Sequence, residues 1–326
     1  MKIFKTYRQQ LKILRNRGLH VPKDGKPMRV LQEENYYALI NGYKELFLGP
    51  NASAVDQSET FLPGAEFDEI YSLSIFDRNI RAILLKAILK IENQFKSFVS
   101  YEFSKNHGHD NYLKKASFND SHGPLTSNTA INDYEKKIER IHMLISDVQS
   151  NISYYYKRKN YIKHYVNEYG FVPLWVLVNT MSFGTISTFF SLMKPGEQVN
   201  VSKNYDLLKE SLNRYMKVLS EARNICAHDE RLYDIVLSKE SEIRDAPYHS
   251  SLRIPLVNTK FSCGKKDFFA ILITLKEILK KREFTKIVNE IDSELNKIAS
   301  KLSSVSINDL MVKMGLPTNW KQLSNL

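Results

Sequence analysis

Residues Ser220 to Asp234 read "SEARNICAHDERLYD" and hold Arg223, Asn224 and His228 within six positions. A histidine ionises near neutral pH, so one side chain can take a proton or give one. A guanidinium is always charged and forked, and it matches the oxygens of a phosphate or of a phosphorane-like transition state. Asn224 and His228 are four apart and share a helical face, while Arg223 lies about 100° round with an arm long enough to reach it. These types at this spacing suit acid–base work on an anionic ester. The plainer reading is a helix end, where Arg223 and His228 meet the negative pole of the dipole for ~0.3–1 kcal/mol each.

Spacing alone does not choose between them. An Arg followed four to six residues later by His, a pattern known from helical ribonucleases, occurs four times: Arg15–His20, Arg158–His164, Arg223–His228 and Arg244–His249. The first is cut by Gly18 and leads into Val21-Pro22. The second lies in "YYYKRKNYIKHY", with cations and rings on every face. The third continues a well-patterned helix. The fourth, "RDAPYH", reads as a proline-containing loop with no fixed geometry.

The elements that must position these residues read as helices. Gly and Pro are sparse, with 12 and 10 among 326 residues, and 43% of the chain is hydrophobic; a sizeable core and an all-α fold follow, and global disorder is excluded. Helical patterns run over Phe4–Arg17, closing at Gly18, and over Val30–Leu48, with "VPKDGKP" as a turn between them and a polar loop at Gly49–Gly64. A boundary at 64 separates an N-terminal helical region, 1–64, from a helical domain, 65–326. Leu73, Phe76, Ile80, Leu84, Ala87, Ile91, Phe95 and Phe98 form one apolar stripe, on a long helix or on two in tandem. After a loop at Asn106–Asn128 come Ile131–Val148, Tyr154–Tyr169, two buried helices from Phe171, Leu207–Ala227, and a final pair at Asp267–Leu279 and Phe284–Leu302. No strand alternation persists, so the architecture is a bundle.

Two cysteines, Cys226 and Cys263, make neither a metal pattern nor a disulfide framework. The start lacks an apolar signal core, and Pro173, Asn179 and Gly184 break the most apolar stretch, so the expectation is a cytoplasmic protein with no membrane span. A net charge of +11 points to an anionic partner, nucleic acid before membrane, unless it reflects a general lysine bias. Arg15 and Arg17 in "LKILRNRGLH", and Lys157, Arg158, Lys159 and Lys163 among tyrosines, are the RNA-binding candidates. For the tyrosines, burial in the core is the equal alternative.

Four segments, in order, resemble the abortive-infection (Abi) family, its AbiD/AbiF-like group, within the HEPN superfamily of all-helical ribonucleases. "LKILRNRGL" resembles an N-terminal L-x-x-RGL element. "FDEIYSLSIFDRNIRAILLKAILKIENQFKS" is similar to the family's long helix, with Phe76, Asp77, Arg78, Arg81 and Glu92 at matching positions. "PLWVLVNTMSFGTIS" resembles a Pro-x-Trp…SFG segment, and "RNICAHDERLYD" the RNxxAHxxRLxN signature, with Asp234 where Asn is usual.

The resemblance implies a HEPN-type helical bundle with an N-terminal helical extension, and RNA cleavage without metal or other cofactor. The 2′-OH attacks, a base takes its proton, and an acid protonates the 5′-oxygen, leaving a 2′,3′-cyclic phosphate and a 5′-OH. One Arg–His pair per chain then implies a homodimer with Arg223, Asn224 and His228 at its axis. Asp77, Arg78, Arg81 and Glu92 are expected to brace the motif helix. Arg231 either joins the phosphate site or pairs with Asp234 or Glu230. The implied role is an anti-phage toxin with two RNA partners, a substrate and a small structured noncoding RNA that restrains it. A catalytically silent RNA-binding scaffold or sensor remains the alternative; a DNA-binding regulator has no helix-turn-helix signal behind it.

Overall fold

A computed structural model of the chain describes residues 3–49 and 59–326. It is 67% helical, and the fold is all-α. The α-helices are α1 (Tyr7–Asn16), α2 (Lys26–Glu33), α3 (Phe67–His107), α4 (Asn128–Tyr156), α5 (Asn160–Tyr169), α6 (Leu174–Leu177), α7 (Phe183–Leu192), α8 (Pro195–Ser202), α9 (Lys209–Ala227), α10 (Pro247–Ser251), α11 (Phe268–Ile278), α12 (Lys281–Ala299) and α13 (Ile307–Lys313). Among the described residues the one sheet is a hairpin pairing Leu256–Val257 with Lys260–Phe261, turned by Asn258 and Thr259 at positive φ.

The chain divides into two compact units, one of Met1–Lys86, Asn224–Ser238 and Ile243–Leu326, the other of Ala87–Arg223 and Lys239–Glu242. The division falls inside α3 and inside α9. The sequence boundary at 64 lies within the first unit.

In the first unit, α1 opens on a capping box between Thr6 and Gln9 and stops before Gly18, whose φ is +89°. The helix expected over Val30–Leu48 is not continuous. Glu34 is extended, the Asn35 side chain accepts the N–H groups of Tyr37 and Ala38 at 2.8 and 3.2 Å, and the chain restarts as a π-turn over Tyr37–Asn41. A short polar side chain bonded to its own backbone competes with the helix ladder, and the apolar spacing does not report that. Most of the expected loop at Gly49–Gly64 lies outside the described residues. "RDAPYH" is not an irregular loop: Pro247 begins α10 and His249 is fully buried. Its Nδ1 accepts the Ala246 N–H at 3.0 Å, its Nε2 bonds the Gly264 carbonyl at 3.0 Å, and its ring stacks on Phe261. One of the hydrogen bonds that order this histidine comes from Gly264, fifteen residues on, which a helical pattern does not connect.

In the second unit, Phe95, Phe103, Phe118, Phe183, Phe189 and Phe190 are buried in ring contacts of 4.9 to 6.3 Å. This core absorbs the apolar stretch from Phe171. Among the described residues no helix is long and apolar enough to cross a membrane. The stripe on α3 is buried as expected at Leu73, Phe76, Ile80, Leu84, Ile91 and Phe95. It departs at Ala87 and Phe98, which are half-buried while Ile88 and Val99 are buried. α4 continues to Tyr156, and the break before α5 falls at Lys157–Lys159 instead of between Val148 and Tyr154.

Candidate active site

α9 closes in a way that fixes His228. The helix ends at Ala227, and the His228 N–H bonds the Asn224 carbonyl at 2.9 Å, so helical geometry reaches the histidine and places it over Asn224. Asp229 then takes left-handed backbone at φ +58°, and the Glu230 N–H returns to the Ile225 carbonyl at 3.1 Å. This is a Schellman closure with Asp at the position where Gly is usual. His228 is the C-cap. Its ring is exposed and has no ion pair or hydrogen bond among the described residues.

The strained closure is held from α3. Asp77 is completely buried. One carboxylate oxygen accepts the N–H groups of Tyr233 at 2.7 Å and Leu232 at 3.1 Å. The other accepts the Tyr43 hydroxyl at 2.9 Å and Arg81 Nη1 at 2.7 Å. Arg81 also donates to the Glu230 carbonyl at 2.7 Å and pairs with Asp229. Burial pushes the Asp77 carboxyl up to about 6, against the pull of Arg81, the tyrosine hydroxyl and the two backbone N–H groups. Asp77 and Arg81 thus staple the five residues that follow His228.

Arg231 donates to the Gly42 carbonyl at 2.6 Å and lies 3.2 Å from Asp234, whose carboxyl is raised by burial and lowered by Arg231. Arg78 grips both oxygens of Glu34. Cys226 is buried, and desolvation pushes its thiol up to about 12, so it is no nucleophile at neutral pH. A pocket of about 730 Å³ opens beside this closure, lined among others by Tyr37, Asn41, Arg78, Asp229 and Arg231.

A family model described as Abi-like protein matches residues 29–234. The chain belongs to the Abi-like protein family. The match covers nearly two thirds of the chain and ends on the last residue of the opening motif, whereas "LKILRNRGL" lies before it. The family ties this Abi-like protein to abortive infection and so to antiviral defence. No curated protein and no solved structure matches it.

In the second unit, the Nε of Arg223 lies 3.6 Å from Glu92, and the other Glu92 oxygen takes Lys96 Nζ at 2.6 Å. A buried carboxylate shared by two cations aims a half-exposed arginine. The RNA-binding candidates fall into two groups. Arg15 is engaged by the carbonyls of Val21 and Pro22, and Arg17 by Glu59 at 2.9 Å. Lys157, Arg158, Lys159 and Lys163 are exposed, and Arg158 lies 3.9 Å over the Tyr154 ring. Among the described residues no group of three or more His, Cys, Asp and Glu is placed to hold a metal ion.

Sequence reasoning missed Tyr43 and Asp229. Tyr43 is far from the motif in sequence and carries no pattern of its own. Asp229 follows directly on His228 and could have been suspected as the residue just past a helix end.

Proposed function

We propose that this Abi-like protein is a metal-independent endoribonuclease of HEPN type, a toxin for infected cells that a small structured noncoding RNA restrains. The observation that carries the reading is the grip of Asp77 and Arg81 on the strained closure after His228, which fixes the backbone that presents an exposed imidazole. Preorganisation of that kind is what a proton-transfer group needs.

His228 of one protomer takes the 2′-OH proton, the 2′-oxygen attacks phosphorus, and the P–O5′ bond breaks. The partner subunit's His228 gives its proton to the departing 5′-oxygen. Arg223 neutralises the charge gathered on the phosphorane oxygens, and Asn224 orients the imidazole or the phosphate. Arg231, paired with Asp234 and Gly42, keeps the chain beyond the motif in place.

His228→Ala and Arg223→Ala are each expected to reduce cleavage of an RNA oligonucleotide by ~10²–10⁴-fold with circular dichroism unchanged. His20→Ala, in a residue paired only with Glu66 at the surface, cuts as wild type. A DNA strand of the same sequence survives and a chelator has no effect. Undiminished cleavage by folded His228→Ala would falsify the mechanism, and RNA binding without any cleavage by the wild type would leave the scaffold reading.

A further inference from the structure

None of the tyrosines around α5 is fully buried, and Tyr155, Tyr156 and Tyr165 are half-buried. Tyr154 is 55% exposed, Tyr161 38% and Tyr169 58%, while Ile162 alone on α5 is fully buried. Tyr161, Tyr165 and Tyr169 stand at i, i+4 and i+8 and form one stripe with a step of about 6 Å along the axis. The Tyr165 and Tyr169 rings are 5.6 Å apart and tilted by 36°. Beyond the helix the row continues through Phe171, 6.3 Å from Tyr169, to His109, stacked on Phe171 at 4.4 Å.

The charge beside this row is mainly positive, with Glu168 the one exposed acid on α5. From Val148 to Asn167 there is no Asp or Glu, against four Lys and Arg. Lys157, Lys159 and Lys163 form no ion pair among the described residues.

We propose that the Tyr161–Tyr165–Tyr169 face of α5, continued by Phe171 and His109, is a stacking platform for an unpaired RNA strand whose phosphates meet Lys157, Lys159 and Lys163. The proposal rests on the reading that the protein acts on RNA and adds the class of RNA it takes. Only unpaired bases offer their faces to rings, because a duplex hides them in its stack. A membrane surface is a poorer match: an interfacial helix presents Leu, Phe or Trp, whereas the outward side of α5 is tyrosine, lysine, histidine, asparagine and one glutamate. The step of the stripe allows successive rings to meet successive bases of an extended strand.

The test is fluorescence anisotropy with a short labelled oligoadenylate whose riboses carry 2′-O-methyl groups, so that it lacks the nucleophile and stays whole. Tyr161→Ala, Tyr165→Ala and Tyr169→Ala should each weaken binding by about tenfold, and Tyr169→Phe should bind as wild type. Affinity for a duplex RNA should not change with any of them. Equal binding of the single strand by wild type and the triple alanine variant would overturn the platform. Losses confined to Lys157→Gln and Lys163→Gln would overturn it too, since phosphates alone would then be read, as would tighter binding to anionic lipid vesicles than to the oligonucleotide. A wild type that neither binds nor cleaves any RNA is a different result: it removes the nuclease reading itself.

Discussion

Asp77 accepts from four donors. Two are backbone N–H groups from Leu232 and Tyr233, about 155 residues away along the chain, so a side chain that cannot accept leaves them unpaired in the interior. Breaking a buried ion pair by removing one partner costs ~3–5 kcal/mol. Asp77→Ala is therefore expected to lower the melting temperature sharply. Asp77→Asn keeps the shape but turns an N–H toward either the backbone donors or Arg81; it should fold, bind RNA as wild type and lose most of kcat. Such a split marks a positioning residue, and wild-type kcat in folded Asp77→Asn would remove that role. Cys226 gives the opposite expectation. With its thiol held near 12 by burial, Cys226→Ala should keep cleaving, and native protein should resist iodoacetamide at this position. The i,i+4 spacing makes the Asp77–Arg81 pair legible in the sequence. What that pair holds is not legible there, because the acceptors and donors at Asp229 to Tyr233 are brought to α3 by tertiary folding alone.

Helices declare themselves where one apolar face is long, and α3, α9 and α11 lie within a few residues of where periodicity puts them. The pattern misleads where a polar side chain bonds its own backbone, as Asn35 does, and where order comes from a distant hydrogen bond, as from Gly264 to His249. α13 carries only Leu310 as a fully buried residue, too few positions to show a period. The segment around His249 gives a prediction at this scale. Gly264 has φ +81°, and a Cβ there would lie 2.9 Å from His249 Nε2 and 3.1 Å from Ile273 and Phe269; Gly25 has φ +77° with nothing within 4 Å. Both alanine variants incur the left-handed penalty, of order ~1 kcal/mol. Only Gly264→Ala must also push apart the histidine that ties α10 to the residues before α11. Chemical denaturation should find Gly264→Ala clearly less stable than Gly25→Ala, and equal losses would show that His249 gives way freely.

At the scale of the molecule, the chain supplies one Arg223 and one His228, while the proposed cleavage needs an acid and a base at once. The reading of a composite site follows from that shortage and makes two demands. Light scattering should give twice 37.9 kDa for the nucleic-acid-free protein. Closed twofold symmetry then puts the same patch on both partners, so each cleft draws one histidine from each chain. Mixed dimers distinguish this from two independent sites. If wild type and His228→Ala are co-expressed in equal amounts and assort freely, a composite cleft works only in pure wild-type dimers, about a quarter of the total, whereas independent sites would retain about a half. The quantity to measure is specific cleavage activity against the wild-type fraction. A quadratic dependence supports a histidine from each protomer. A straight line, or full activity from a clean monomer, removes the shared cleft and requires a second proton-transfer group within one chain.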